Sequence, residues 1–418
     1  MRMHDRVLAV LTALVAGSWA TGAQATDGYF QIGYGQKSVG MGGVGIALPQ
    51  DALAAATNPA GMVIVGDRVD FGMEWFKPVR SSQITGNGAG ANNTYDGNNT
   101  SSFLIPEFGY NKMVNANTSV GVSIYGNGGM DTNYSVNPFG AFGGMGASGV
   151  NLAQVFISPT FATKLNATNA VGISLNLAYQ QFSADGLQPF KGISGAPNNL
   201  TSTGTDTSTG AGIRIGWTGQ VTPVLTLGAT YATKTYMSKF SNYSGLFAQQ
   251  GAFDVPANYG VGMAFKAAPA TTVAMDVERI MYGDVPSIAN NLYYPPSASQ
   301  MLGANGGSGF GWQNMTVFKI GVSQIINPTL TVRAGFNHNN QQIPVSQTFF
   351  NILAPGVVQN HATLGATWTL ANKSELTVAY MHAFSTGVYG SNSIPTGFGG
   401  GNANLFMHED TLGIAYGW

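Results

Sequence analysis

The 418-residue sequence contains no cysteine. Neither a disulfide framework nor a thiolate metal site can therefore stabilise this protein. Charged residues make up 8% of the chain, which is about a third of their usual share in a soluble globular protein. The net charge is −1 at pH 7, and the scattered Lys and Arg residues form no basic stripe of the kind that binds nucleic acid. This composition is poorly suited to a surface that faces water on all sides.

Long apolar runs are also missing. A transmembrane helix needs about 20 apolar residues, and no stretch after residue 25 provides them. The apolar run at residues 7–15 is shorter, follows two arginines and precedes Ala23-Gln24-Ala25. This order is typical of a cleaved signal peptide, and an N-terminal membrane anchor is the alternative. We therefore predict a signal peptide at residues 1–25 and a mature chain that starts at Thr26.

Segments of alternating hydrophobicity follow one another along the mature chain. In the clearest segment, residues 171–180, apolar residues alternate with small or polar ones. Helical spacing does not fit these segments, whereas a two-residue period is typical of strands. Two further strands, near 104–113 and 152–164, alternate less cleanly. The pattern predicts an all-β transmembrane protein, a 14-stranded antiparallel up-and-down β-barrel at residues 67–418.

The connections between these segments alternate in length, as they do in outer-membrane barrels. Short links are expected near 114–117, 165–169, 219–223, 267–271, 325–328 and 370–373. Long links rich in Gly, Asn, Ser and Thr are expected at 78–102, 127–151, 184–210, 237–257, 282–312, 341–357 and 387–405. A soluble β-sandwich, the alternative fold, would have no reason for this regularity and would carry more charge outside. Both chain ends are therefore expected in the periplasm.

The residues before the first strand are expected to fill the barrel. Eight strands already enclose all the space that side chains can fill, so a wider barrel holds water or a plug. Residues 26–66 lack strand alternation, and residues 51–56 suggest a short helix that ends at Asn58-Pro59. We predict a compact N-terminal hatch at 26–66, with a disordered periplasmic leader as the alternative. Gly40, Gly42 and Gly45 match GxGxxG formally, but no βαβ unit surrounds them, so no dinucleotide site is expected.

The mature start, TDGYFQIGYGQKSVGMGGVGIALPQDALAAATNPAGM, resembles the hatch of the FadL family of outer-membrane transporters. The Asn-Pro-Ala signature of that family lies at Asn58, Pro59 and Ala60, and residues 255–280 resemble a second part of it. The resemblance spans the mature chain. It implies uptake of long-chain fatty acids or of alkane and aromatic hydrocarbons. We expect this uptake to be passive, because the sequence shows no phosphate-binding site and no motif for an energy-transducing partner. It also implies the outer membrane of a Gram-negative bacterium, with outer-membrane lipid and lipopolysaccharide around the barrel.

The resemblance further implies a route for the cargo. Capture occurs in a groove between the third and fourth extracellular loops, a deeper pocket lies near the N-terminus, and release is lateral through a kink in the third strand. Apolar residues in the two loops are compatible with capture, or alternatively with packing between the loops: Leu187, Phe190, Met237, Phe240, Leu246 and Phe247. Gly126, Gly128 and Gly129 could form the kink, because glycine marks bends in strands, or could simply begin an ordinary loop.

Strand alternation places eight charged residues on the inner face: Arg68, Asp70, Glu74, Arg214, Asp276, Glu278, Lys319 and Arg333. A charge that faced lipid near the midplane would cost about 2–4 kcal/mol, which supports this placement. These groups can brace the barrel against the hatch. Alternatively, Arg214, Lys319 or Arg333 contacts the carboxylate of a fatty acid.

The last eight residues, TLGIAYGW, resemble the signal that the barrel assembly machinery reads during biogenesis. The matching positions are Thr411, Gly413, Tyr416 and Trp418, with Trp where Phe is more usual. Aromatic residues at a strand end also suit the membrane interface. The assembly machinery is therefore an expected transient partner.

Other functions have weaker support. The mature histidines, His338, His361, His382 and His408, accompany no nucleophile motif, and no ligand spacing suggests a metal site. We expect no enzymatic activity, no cofactor and a monomer. A diffusion porin for polar solutes is the alternative function, followed by a lipid-modifying enzyme. The sequence leaves the choice among fatty acids, alkanes and aromatic hydrocarbons open.

Overall fold

A computed structural model describes residues 26–418. The predicted signal peptide lies outside the described residues. Fourteen antiparallel strands, numbered here β1 to β14, form the wall of a barrel. Their bounds are Arg68–Thr85, Phe103–Asn115, Thr118–Tyr134, Ser148–Lys164, Asn169–Asp185, Asp206–Thr222, Leu225–Ala232, Asn258–Ala268, Thr271–Ile280, Met315–Asn327, Leu330–Asn339, Asn360–Thr369, Glu375–Val388 and Asn402–Gly417. Two short strands, Asn93–Asp96 and Tyr236–Met237, lie in loops and pair with β1 and β6.

The sheet closes on itself. Strand β1 pairs with β14 from Asp70–Gly417 to Thr85–Asn402, and the other strands pair with their neighbours in sequence. Short turns at 116–117, 165–168, 223–224, 269–270, 328–329 and 370–374 alternate with long loops at 86–102, 135–147, 186–205, 233–257, 281–314, 340–359 and 389–401. The predicted 14-stranded up-and-down barrel is confirmed.

Apolar side chains cover the outside of the barrel and polar side chains line its inside. On β5, Ile173 and Leu175 are 46% and 44% exposed, whereas Ser174 and Asn176 are 0% and 2% exposed. This arrangement is the reverse of that in a water-soluble sheet, because the outer face meets lipid and the inner face meets the hatch.

Several strands extend further than the sequence pattern indicated. Residues 78–85 were expected in a loop, yet they continue β1 and pair with β14. Residues 127–134 likewise continue β3, and 148–151 begin β4. Alternation marks a strand only where one face is apolar, and these ends carry polar residues on both faces. The alternation therefore indicates only the part of each strand that faces lipid, and not the whole strand.

The hatch, residues 26–66, is packed inside the barrel. Its α-helices are Gln36–Val39 and Met62–Val65, and its 3₁₀ helices are Ala54–Ala56 and Pro59–Gly61. The predicted helix at 51–56 was wrong in extent, and Asn58-Pro59 begins a helix rather than ending one. The Asn58 side chain accepts a hydrogen bond from the Ala60 amide, and proline is favoured at the first helical position.

The loops contain further short helices. The α-helices are Ala248–Gly251 and Pro286–Ala289, and the 3₁₀ helices are Gly140–Phe142, Gln188–Ile193, Pro197–Asn199, Ser241–Tyr243, Tyr282–Asp284, Phe350–Ile352 and Thr396–Phe398. Across residues 26–418, none of the helices combines the length and the apolar character that crossing a membrane would take.

Candidate functional site

Carboxylates on the barrel wall bind backbone amides of the hatch. Asp276 of β9 accepts hydrogen bonds from the amides of Gly45 at 2.7 Å and Ile46 at 3.0 Å. Asp70 of β1 accepts one from the Ala52 amide at 2.9 Å. Hydrogen bonds to ionised acceptors are among the stronger ones in proteins. The inward carboxylates therefore hold the hatch in place.

Charged side chains add to this attachment. The Lys37 ammonium of the hatch lies 2.7 Å from the Glu375 carboxylate of β13, which also pairs with Arg68. The Glu107 carboxylate of β2 accepts a hydrogen bond from the Gly35 amide at 3.0 Å. These contacts support the interpretation that the inward charges brace the barrel against the hatch.

The Asn58-Pro59-Ala60 motif lies against the wall. The Asn58 amide nitrogen donates to the Trp217 carbonyl of β6 at 3.0 Å. A Cβ at Gly216 would overlap the Asn58 side chain, and one at Gly172 of β5 would overlap Pro59. Two wall glycines therefore allow the motif to approach the backbone of the barrel.

Lys319, the first candidate cation, is already paired. Its ammonium lies 2.9 Å from the Glu278 carboxylate and 3.9 Å from the Asp27 carboxylate of the hatch. Asp27 also accepts hydrogen bonds from the side-chain amides of Asn337 and Asn339. Burial raises the pKa of the Asp27 carboxyl, and the Lys319 charge opposes that rise. The Lys319 ammonium is thus already paired with carboxylates of the protein itself.

Arg214 of β6 is buried without such a carboxylate. Within the described part of the chain, no carboxylate oxygen lies in ion-pair distance of its guanidinium. The guanidinium donates to the Thr57 carbonyl and to the Asn258 side chain, each at 3.1 Å. It borders a narrow internal cavity with room for roughly one water molecule. Other residues around this cavity include Phe30, Gln31, Tyr34, Glu278 and Lys319.

Arg333 of β11, the third candidate cation, also binds neutral groups. Its guanidinium donates to the Gln50 side chain at 3.0 Å and to the Thr367 hydroxyl at 2.6 Å. Gln50 belongs to the hatch, so Arg333 connects hatch and wall away from the Arg214 cavity.

The six apolar residues predicted in the two loops are all buried. Met237 is the most exposed at 9%, and Leu187, Phe190 and Phe240 are fully buried. The loops at 186–205 and 233–257 contact each other, since the Ser194 hydroxyl donates to the Gly245 carbonyl at 2.7 Å. These side chains belong to one large apolar cluster, which matches the interloop packing that was the alternative to a groove.

Aromatic rings extend this cluster from the loops to the start of the hatch. Phe247 packs on Phe253 with ring centres 4.8 Å apart, and Phe253 reaches Tyr29 at 6.2 Å. Tyr29 also packs on Tyr282 at 5.3 Å. Rings at these separations interact favourably. An apolar zone therefore joins the loops to the hatch N-terminus.

Pairing between β2 and β3 stops before either strand ends. Strand β2 pairs with β1 up to Phe103–Phe76. It pairs with β3 only from Asn115–Thr118 up to Phe108–Ile124. Residues 103–107 of β2 and 125–131 of β3 are therefore not paired with each other. We call this interruption the β2–β3 gap.

The three predicted kink glycines lie beside the β2–β3 gap. A β-bulge between Gly126 and Gly128 leaves Asn127 as an extra residue opposite β4. The Gly129 amide donates to the Tyr29 carbonyl of the hatch at 3.0 Å, and a Cβ at Gly128 would overlap that carbonyl. The free edge of β3 is thus partly covered by the hatch from inside.

The predicted assembly-signal residues lie in and just after β14. Thr411 is buried inside, and a Cβ at Gly413 would overlap Gln36 of the hatch. Tyr416 and Trp418 are 37% and 47% exposed on the outside, and the Trp418 amide donates to the Val69 carbonyl of β1.

Besides Glu107 of β2, sequence reasoning missed three buried charged residues near the β2–β3 gap. Arg80 and Asp131 fell in segments that were expected to be loops, so their inward orientation was not considered. Glu409 lies in β14, and extending the period of Leu412 and Ile414 would have placed it inside. All three are buried.

A model of the outer membrane protein transport protein family (OMPP1/FadL/TodX) matches residues 14–393. A comparison with curated proteins finds no match. The toluene transporter TodX of Pseudomonas putida has 18% identity and a TM-score of 0.68, over 92% of this chain and 98% of that chain. A FadL homologue of Pseudomonas aeruginosa has 14% identity and a TM-score of 0.71, over 93% and 99%. The toluene transporter TbuX of Ralstonia pickettii has 18% identity and a TM-score of 0.64, over 92% and 98%. At these identities the structural similarity shows a common fold.

Proposed function

Because the chain belongs to the outer membrane protein transport protein family (OMPP1/FadL/TodX), we propose that it is a passive channel for hydrophobic molecules. The cargo class comprises long-chain fatty acids and alkane or aromatic hydrocarbons. The names of TodX and TbuX as toluene transporters favour aromatic hydrocarbons within that class. Uptake needs no nucleotide or ion coupling in this proposal.

The β2–β3 gap is the observation that carries the proposal. A hatch blocks the lumen, so a cargo that leaves directly for the periplasm would have to displace it. An interruption in the wall instead offers a route into the membrane, where a hydrophobic molecule is more stable than in water. Lateral release between 103–107 of β2 and 125–131 of β3 follows, with Gly126, Gly128 and Gly129 at its side.

The aromatic zone supplies the earlier part of the route. Cargo is captured where Leu187, Phe190, Met237, Phe240, Leu246 and Phe247 meet, and it enters by displacing side chains from one another. It then passes Phe253 and Tyr29 to reach the hatch N-terminus beside the β2–β3 gap. Each contact is apolar, so the cargo does not return to water between capture and release.

Among the three candidate cations, Arg214 suits an anionic head group best. Lys319 already has carboxylate partners, and Arg333 is bound between hatch and wall. Arg214 borders the internal cavity, and its Nε has no hydrogen-bond partner among the described residues. A fatty acid carboxylate that displaces the side chains around this narrow cavity would therefore bind at Arg214, while a neutral hydrocarbon would not use this site.

We place the protein in the outer membrane of a Gram-negative bacterium, as a monomer surrounded by lipid and lipopolysaccharide. Residues 1–25 act as the signal peptide, 26–66 as the hatch and 67–418 as the barrel. The assembly machinery reads Thr411, Gly413, Tyr416 and Trp418 during biogenesis. The protein has no catalytic role and takes no cofactor in this proposal.

Uptake by whole cells tests the proposal against the polar-solute porin. Cells that produce the protein should take up labelled toluene or oleate faster than cells without it, and labelled sugar at the same rate. The intact protein in a planar bilayer should give no large steady ion conductance, because the hatch fills the lumen. Faster sugar uptake together with a large steady conductance would identify a porin instead.

A further inference from the structure

A buried ion pair closes the upper end of the β2–β3 gap, which is the end next to the long loops. Arg80 of β1 is 2% exposed, and its guanidinium donates to the Asp131 carboxylate of β3 at 3.1 Å. It also donates to the Asp131 carbonyl at 2.5 Å and to the Thr100 carbonyl. Strands β1 and β3 are thus tied together directly beyond the end of β2.

The Asp131 carboxylate is the centre of this tie. Besides Arg80, it accepts hydrogen bonds from the Thr100 hydroxyl at 2.6 Å and from the Asn151 side chain of β4 at 3.2 Å. The Asn133 amide donates to the Gly97 carbonyl next to it. This end of the β2–β3 gap is therefore closed by the contacts of the Asp131 carboxylate together with hydrogen bonds to backbone carbonyls.

A second carboxylate is within reach of Arg80 on the opposite side. Glu409 of β14 pairs with Pro78, two residues before Arg80 on the same face of β1, while Arg80 itself pairs with Met407. Diagonal neighbours of this kind lie about 7–8 Å apart, which a long side chain can span. Glu409 therefore lies where the Arg80 guanidinium could turn toward it.

Both groups have unused hydrogen-bonding atoms. Glu409 is fully buried, and neither of its carboxylate oxygens has a hydrogen-bond partner among the described residues. The Nε of Arg80 also has none within the described part of the chain. A buried carboxylate without a partner is costly, and a guanidinium is a good partner for it.

We propose that Arg80 is a two-position latch that sets the width of the β2–β3 gap. Bound to Asp131, Arg80 holds the upper part of β3 against β1, and the gap is narrow. Bound to Glu409, it releases Asp131, and the upper part of β3 moves away from β2. This inference rests on lateral release as the proposed exit, and Arg80, Asp131 and Glu409 act as positioning residues that regulate it.

Spin-label distances across the gap test the latch without requiring transport. The chain has no cysteine, so Leu104→Cys on β2 and Ser135→Cys just after β3 provide unique labelling sites in the full-length protein. Both positions are exposed. The labelled protein should show a major short distance and a minor long one.

Two substitutions of similar size should shift these populations in opposite directions. Asp131→Asn weakens the narrow position and should raise the long-to-short ratio about tenfold, the effect expected for one charge-assisted hydrogen bond. Glu409→Gln removes the alternative carboxylate and should abolish the long distance. Asp185→Asn, an exposed aspartate of β5, is the matched control and should leave the ratio unchanged.

A static ion pair gives a different result. The latch is contradicted if Glu409→Gln leaves the distances unchanged, or if both substitutions shift them the same way. Electrophoretic mobility before and after heating confirms that each variant forms a folded barrel. Uptake of toluene and oleate by the unlabelled wild type judges the proposed function separately, since the distances can shift as expected even when no cargo is carried.

Discussion

The three lumen cations show that similar burial does not imply a similar role. The strand period placed Arg214, Lys319 and Arg333 inside, and they are 7%, 7% and 9% exposed. Their partners could not be predicted, because Lys319 meets Asp27 and Arg333 meets Gln50 across hundreds of residues of sequence. A local pattern indicates which face a residue occupies, whereas its partners depend on how the hatch docks.

Substitution of Arg214 tests whether the cargo carries a carboxylate. We expect Arg214→Met to weaken the binding of oleate about tenfold or more, because a charge-assisted hydrogen bond is lost. The binding of oleyl alcohol should not change. Calorimetric titration of the purified protein measures both affinities.

Arg333→Met is the matched control, since this arginine binds between hatch and wall. It should retain wild-type affinity for oleate. Equal oleate affinity in the wild type, Arg214→Met and Arg333→Met would contradict a contact between Arg214 and the carboxylate. It would favour a neutral hydrocarbon as cargo.

Among the elements, β3 departs most from what its sequence predicted. Alternation indicated a strand around Val120 to Ile124, and the following glycines could have been a kink or the start of a loop. The strand instead continues to Tyr134, with a bulge at Gly126–Gly128. The continuation could not be recognised, because both of its faces are buried at residues 127–132. Without an apolar face toward lipid, a strand leaves no two-residue period in the sequence.

Gly128→Ala tests how the hatch N-terminus is held at this edge. A Cβ there would overlap the Tyr29 carbonyl, so the segment around Tyr29 should move away from β3. We expect faster hydrogen–deuterium exchange in the peptide covering residues 26–34, measured by mass spectrometry.

Gly192→Ala is the control for this experiment, since a Cβ at Gly192 meets nothing within 4 Å. Its exchange in residues 26–34 should equal that of the wild type. Unchanged exchange in Gly128→Ala as well would mean that the hatch N-terminus is not anchored by this contact.

At the scale of the whole molecule, the sequence carried more information about the barrel than about the path through it. Strand number, closure and the hatch followed from alternation, connection lengths and family resemblance. The β2–β3 gap did not, because it is defined by where two strands stop pairing. The sequence also did not determine whether Phe240 and Phe247 are buried, since apolar loop residues can equally form a groove or fill one.

A disulfide across the β2–β3 gap tests lateral release most directly. A Cβ at Gly126 would lie 3.0 Å from a methyl carbon of Ile105, so Ile105→Cys and Gly126→Cys are close enough to bond. The control pair, Tyr110→Cys and Val122→Cys, joins residues that already face each other below the gap.

The measurement is the rate of toluene and oleate uptake by cells that carry each pair, under oxidising and reducing conditions. If cargo leaves through the gap, the Ile105–Gly126 disulfide should abolish uptake and reduction should restore it, while the control pair transports under both conditions. Equal uptake by the oxidised and reduced Ile105→Cys/Gly126→Cys protein, with the disulfide confirmed by mass spectrometry, would contradict lateral release.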